Sequence, residues 1–299
     1  MNETMLITVY CFVDEFIKMV TQSPIGERIA GLWKGKRGPE RKLTLAETMT
    51  LNIMRFYLKM IDLKAFHSLL RNAYQQYFPN LPNYENFLKA TNKSYPYVLV
   101  FLNYLLFLNR KNNRRAVFFM DATALSVCDN HYIYRHRVTK GFASRGKTTK
   151  GWFYGFKLHG TCNEDGNLLN ICFTTGSVHD SRLAEIITGG LEGTFVADAG
   201  YILKESTFQS LYEKHRHILA AARKNMKRVM TGEQKRLFRK RGIIETTWDV
   251  LKERFELVYH LARGMTGLFR HYLYSLVAFI LKPILHNPLL PCPMPLIFS

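Results

Sequence analysis

Acidic residues are scarce in this chain: 23 Asp and Glu stand against 42 Lys and Arg, a formal charge of +19. A charge of that size opposes compaction by self-repulsion unless a polyanion neutralises it. Nucleic acid is the first candidate, because each neutralised phosphate releases counterions; a membrane surface is the second. Cysteine is sparse as well. The five residues Cys11, Cys128, Cys162, Cys172 and Cys292 include no CxxC pair. The odd count and the spacing argue against a disulfide framework and against a cysteine zinc site, leaving reduced, mostly buried thiols. Long apolar runs are missing. The longest, residues 98–108 and 273–281, are interrupted by Asn103 and Ser275 and fall short of the ~20 residues that span a bilayer. The first twenty residues carry Glu3, Asp14, Glu15 and Lys18, without the basic-then-apolar order of a secretory signal. No repeat is visible, which argues against a solenoid. A soluble, cytoplasmic protein with no membrane partner is expected.

What is present is enough apolar residue, 47% of 299, for one large core or two modest ones. The first 110 residues read as helices. Leu43, Ala46, Met49, Ile53, Phe56 and Met60 recur at three- and four-residue steps, giving one apolar face, and Thr44 with Glu47 forms a capping-box pattern at its start. Residues 78–83 break the helical pattern, and a second helical stretch follows over 84–108. From Ala116 the period changes. Short β-rich runs at 116–120, 153–159, 168–174, 194–197 and 217–221 predict strands, with a hairpin around the polar turn at 163–167. Helices are predicted at 180–187, 206–215 and 243–260. This mixed α/β order resembles a ribonuclease H-like core: a mixed five-stranded sheet with flanking helices, preceded by an all-helical region. The expected division is 1–110, a helical DNA-binding or dimerisation region; 115–262, the α/β core; and 263–299, a helical and then proline-rich tail.

Asp121 and Asp198 each follow directly on an apolar strand, where a side chain leaves the core and reaches a cleft. Glu245 lies near the start of the last core helix, beside the apolar stripe of Ile244, Trp248, Leu251, Phe255 and Val258. Three converging carboxylates repel one another until a divalent cation intervenes, and Mg²⁺ prefers such oxygen ligands. Two such ions serve in-line phosphoryl displacement. Asp180 and Asp249 are rivals for the second and third positions, although a strand-to-helix turn makes capping the default for Asp180. Two basic stretches flank the acids. One, over 135–150, reads as a mobile loop. The other spans 223–241. From these stretches and the run after Trp152, Arg145, Lys147, Lys150, Lys157, Arg239, Lys240 and Arg241 are expected to contact phosphate.

Five segments carry a resemblance. They are Phe118-Phe-Met-Asp-Ala-Thr123, Gly151-Trp-Phe-Tyr-Gly-Phe-Lys-Leu-His159, Thr175-Gly-Ser-Val-His-Asp-Ser181, Val196-Ala-Asp-Ala-Gly-Tyr201 and Arg239-Lys-Arg-Gly-Ile-Ile-Glu245. In this order they resemble bacterial insertion-sequence transposases of the Asp-Asp-Glu type. The resemblance implies Asp121, Asp198 and Glu245 as catalytic and metal-holding residues, with two Mg²⁺ or Mn²⁺ ions. It implies the element's terminal inverted repeats and target DNA as partners, and a homo-oligomer assembled on DNA. Lys252 matches the basic residue that the family often places seven positions after its glutamate, nearly two helical turns on. Ala199 stands where the family commonly has lysine. A structure-specific nuclease and a catalytically dead DNA-binding descendant are the alternatives.

Overall fold

Thr44 starts its helix as its sequence dictates: the Thr44 hydroxyl accepts from the Glu47 amide at 3.1 Å, and the Glu47 carboxylate accepts from the Thr44 amide at 2.7 Å. In the computed structural model, which describes residues 2–33, 42–149, 151–222 and 230–286, this helix belongs to the first of two compact units. Unit 1 comprises Met1–Leu105 with Leu251–Ser299, and unit 2 comprises Leu106–Val250.

Unit 1 is helical. Its elements are α1 (Glu3–Thr21), α2 (Pro24–Trp33), α3 (Leu45–Tyr57), α4 (Leu63–Ala73), α5 (Tyr84–Lys93), most of α6 (Tyr95–Asn112) and, far along the chain, α11 (Met265–His286). Helix α3 is buried almost all round, packed by α1, α5 and α11. Phe16 of α1 meets Phe101 of α6 at 4.6 Å between ring centroids. The Tyr57 hydroxyl donates to the Ala278 carbonyl, and Ser94 pairs with Tyr274 at 2.6 Å. Helix α11 has the length and apolar composition of a membrane span, but most of it is buried within the protein. That burial is what a core helix needs. The prolines expected in an extended tail lie outside the described residues.

Unit 2 is a mixed α/β layer with the expected ribonuclease H-like arrangement. Strands β1 (Val117–Cys128), β2 (Ser144–Thr148), β3 (Gly151–Asn163), β4 (Leu168–Thr175), β5 (Gly193–Ala197) and β6 (Arg216–Ala220) form one sheet in the order β2-β3-β1-β5-β6. The far edge of β3 is shared, β2 pairing with its first half and β4 with its second. β1 runs antiparallel to β3 and parallel to β5, and β5 is parallel to β6. The sheet therefore has six strands rather than five. The extra one, β2, falls in the segment expected to be a mobile loop; its Ser-Arg-Gly-Lys-Thr sequence has no apolar alternation to announce a strand. Phe118 and Phe195, paired in register, stack at 4.9 Å within the core on one face. That face is covered by α7 (Ala184–Ile187) and by Leu211 of α8 (Glu205–Glu213). Helix α9 (Gly232–Lys240) precedes α10 (Gly242–Glu253), whose Trp248 meets the other face at Gly160.

The prediction of a helix reaching residue 260 fails at Glu253. Glu256 takes a left-handed φ of +53°, while Phe255 and Leu257 are buried within unit 1. Phe255 stands edge-on to Tyr57 and Phe279, and its carbonyl accepts from Ser275 at 2.8 Å. Tertiary burial of these side chains overrides the helical pattern.

Candidate active site

Met120 and Ala197 are the last paired residues on the parallel strands β1 and β5. Asp121 and Asp198 come next on each, so the two carboxylates occupy adjoining strand positions. Side chains alternate between sheet faces, and Phe118 and Met120 point into the core under α7. Asp121 therefore points the other way, to the face that α10 covers. Its partner across β1–β3 is Gly160, the residue on which Trp248 rests. A Cβ at Gly160 would lie 2.7 Å from the indole, so glycine lets α10 approach the sheet beside Asp121. Glu245 is one turn before Trp248 on that helix.

Arg241 links the first aspartate to the helix. Its Nη2 donates to Glu245 Oε1, and its Nη1 lies 3.8 Å from Asp121 Oδ1. Burial pushes the Asp121 carboxyl up to about 7 against the pull of the Arg241 guanidinium, and Asp198 and Glu245 add like-charge repulsion. Asp198 turns the chain as an N-cap, its Oδ1 accepting from the Gly200 amide at 2.8 Å. Gly200 sits between two carboxylates: a Cβ there would be 2.9 Å from Asp198 Oδ1 and 3.2 Å from Asp180 Oδ2.

Asp180 does not cap its turn as expected. His179 does, through Nδ1 to the Ser181 amide, which leaves Asp180 to pair with Lys157 at 2.8 Å. Lys157 also donates to the Val178 carbonyl at 3.0 Å, and its side chain is only 12% exposed. Its ammonium is committed inside the protein. Beside it His159 is wholly buried, bonded to Thr174 at 2.8 Å, and burial pulls it down to about 4, so the ring is neutral.

Sequence reasoning gave no role to Tyr201. Its side chain is fully buried and its hydroxyl has no partner among the described residues. Burial, and then the charges of Asp180, Asp121 and Asp198, push the phenol well above its usual range, so it keeps its proton. Neither this nor the approach of Arg241 to Asp121 has a sequence signature, because both depend on chain segments brought together by the sheet; the Arg241–Glu245 pair is an i,i+4 spacing that the sequence does carry.

Among the expected phosphate contacts, Arg145 and Lys147 are exposed on β2, and Lys147 lies 5.6 Å above the Trp152 ring. Arg239 and Lys240 are exposed at the end of α9, with Lys240 paired to Glu164 at 2.8 Å. Lys252 is in the last turn of α10. Lys150 and residues 223–229 lie outside the described residues.

Asp121 and Asp198 are hard oxygen donors at adjoining positions, a donor set that suits a divalent cation. Glu245 is engaged by Arg241 instead, and among the described residues no three carboxylate, imidazole or thiol groups are gathered to hold one ion.

The family model described as a transposase DDE domain covers residues 111–263, a span that includes the strand ends, α9 and α10. No curated protein and no solved structure matches the chain.

Proposed function

The chain belongs to the transposase DDE-domain family, and from that premise we propose that it cleaves DNA at the ends of an insertion sequence and joins the freed 3′-hydroxyl to target DNA. The observation that carries this reading is the adjoining placement of Asp121 and Asp198 on β1 and β5, under the helix that bears Glu245.

Asp121, Asp198 and Glu245 would hold Mg²⁺ or Mn²⁺, in two ions. When bound, these supply the charge that activates the attacking oxygen and stabilises the leaving one in an in-line displacement. The chain's own groups prepare the site. The Gly200 amide fixes Asp198. Lys157 neutralises Asp180, so that its charge does not add to the repulsion at Asp121 and Asp198. Arg241 supplies the positive charge that lets Glu245 and a buried Asp121 stand near one another. Tyr201 keeps a proton beside the carboxylates.

Arg145, Lys147, Lys150, Arg239, Lys240, Arg241 and Lys252 are proposed to contact the DNA backbone, each neutralised phosphate adding a salt-dependent increment. Lys157 joins them only if it leaves Asp180. The helical region of the first 110 residues would bind the terminal inverted repeats or a second protomer, the α/β region over 115–262 would carry the chemistry, and the protein would act as a homo-oligomer on DNA.

The test is a Mg²⁺-dependent assay on a labelled duplex carrying the element's own terminal repeat, with Asp121→Ala, Asp198→Ala and Glu245→Ala alongside. Loss of cleavage and joining in all three, with DNA binding retained, is expected. Variants that cut as well as the parent would refute the site. Cleavage without strand transfer from a pre-cut end would make the protein a structure-specific nuclease. DNA binding with no product at all would make it a catalytically dead descendant.

A further inference from the structure

Unit 1 carries an open cavity of about 940 Å³, bounded by the end of α3, the start of α4, α5 and the start of α11. Two of its walls are the guanidinium groups of Arg55 and Arg270, which are 4% and 7% exposed. Buried arginine is normally set against a carboxylate, because a charge removed from water needs compensation. Neither of these two forms an ion pair among the described residues. Arg55 Nη1 donates to the Ile61 carbonyl at 2.8 Å, and Arg270 Nη1 to the Asn92 side-chain oxygen. The Nε of each is buried without an acceptor.

The remaining lining deepens the imbalance. Asp62 is the one acidic residue in it, and its Oδ1 is engaged at 2.6 Å by the Ala65 amide as the cap of α4. Lys64 and Arg263 are exposed at the rim. Met265, Thr266 and Gly267, the first turn of the 22-residue helix α11, also face the cavity. The leading N–H groups of a helix have no acceptor within it and carry partial positive charge. Burial, and then the charge of Arg270, pull Arg55 down to about 9. The protein thus holds two like charges within reach of one another around an open volume.

We infer that this cavity binds a phosphate group, carried either by a free nucleotide or by the terminal nucleotide of a DNA strand. A guanidinium fork matches the oxygens of phosphate, and a helix start is a ready site for the same anion. The volume is large enough for a whole small ligand, and Tyr84 and Leu88 give it a less polar wall. The inference does not depend on the assignment of Asp121, Asp198 and Glu245, which belong to unit 2.

The experiment follows thermal unfolding of the full chain at constant ionic strength in chloride, in inorganic phosphate, with a nucleoside 5′-monophosphate, and with a short oligonucleotide bearing a 5′-phosphate or a 5′-hydroxyl. Parent and Arg270→Met are compared. Ligand that binds only the folded state raises the melting temperature. In the parent, phosphate is expected to raise it saturably above chloride. In Arg270→Met that response should be lost, while the variant in chloride melts at or above the parent, since an uncompensated charge has been removed. The probe that acts at the lowest concentration identifies the source of the phosphate. An equal phosphate response in the variant, no response to any phosphate probe in the parent, or a variant equally destabilised in chloride and phosphate would overturn the inference. Should Arg270→Met fail to fold, the exposed variants Lys64→Ala and Arg263→Ala carry the same test. A weaker phosphate affinity in either supports the site, and an unchanged one in both overturns it.

Discussion

Trp248 of α10 rests on Gly160 of β3 so closely that a methyl group at position 160 would come within 2.7 Å of the indole ring. Because Gly160 is the cross-strand partner of Asp121, this contact sets how near Glu245 comes to Asp121. Gly160→Ala should force the helix outward. The expected cost is about 1–3 kcal/mol in denaturant unfolding, the usual range for overpacking, with a fall in DNA cleavage. Trp248→Leu combined with Gly160→Ala should recover part of both losses. Additive losses in the double variant would show that the two residues do not act through one contact.

Arg241 lies between Glu245 and Asp121, so its charge competes with any cation at those oxygens. Arg241→Gln should tighten Mn²⁺ binding to the free protein several-fold, measured calorimetrically without DNA, while lowering strand cleavage. Weaker Mn²⁺ binding in the variant would mean that Arg241 organises the carboxylates for the ion rather than opposing it.

Lys157 and Lys147 are both cationic residues in the β2–β3 hairpin, but their settings predict opposite phenotypes. Lys157→Met strips Asp180 of its counter-charge and should cost about 1.5–3 kcal/mol, as for other hydrogen bonds to charged groups, with little change in the salt dependence of DNA binding. Lys147→Ala and Arg145→Ala should leave stability nearly unchanged and each lower the salt slope by about one. A stable Lys157→Met with a reduced slope would return Lys157 to the DNA surface.

Two buried histidines fix the direction of acid destabilisation. Burial, with Arg55, His260 and Arg270 adding repulsion, pulls His271 down to about 3; burial pulls His159 down to about 4. Both folded values lie below the unfolded one, so the unfolded chain takes up protons first and stability falls as pH drops below the ordinary histidine range. Asp121, pushed up to about 7, works the other way by binding its proton in the folded state. The two histidines outweigh the single carboxyl, so these three groups together make stability fall as pH drops from about 6 to 4.5. His271→Gln, which keeps a donor for the Glu256 carbonyl, should flatten the urea midpoint against pH over that interval. An unchanged slope would mean that His271 is already protonated in the folded protein.

Much of the fold was legible because its signals are local. The capping box at Thr44 and the hairpin around Asn163, whose side chain accepts from the amides of Asp165 and Asn167, are written within a few residues. The two aspartates were readable because an acid directly after an apolar run is itself a local pattern, although β1 does not end there but continues through Asp121 to Cys128. β2 was not, since an edge strand held by backbone bonds needs no apolar alternation. The end of α10 was not either: Phe255 extends the helical spacing while its ring belongs to a cluster with Tyr57 and Phe279. The pairing of Lys157 with Asp180 joins β3 to a turn 23 residues away, and no spacing rule anticipates it.

Unit 1 is interrupted in the chain by the whole of unit 2, and this has a consequence for biosynthesis. Tyr57 bonds to a carbonyl 221 residues further on, so at ~5–20 residues per second the ribosome needs roughly 10–45 s to deliver the partner. During that interval α3 has no α11 to cover it, and every strand of unit 2 is made before the interval ends. The α/β unit is therefore free to fold first, and the helices made earliest wait for the segment made last. A ribosome that stalls before Met265 would release a chain with a finished sheet and an exposed apolar helix, the kind of species that chaperones and proteases remove.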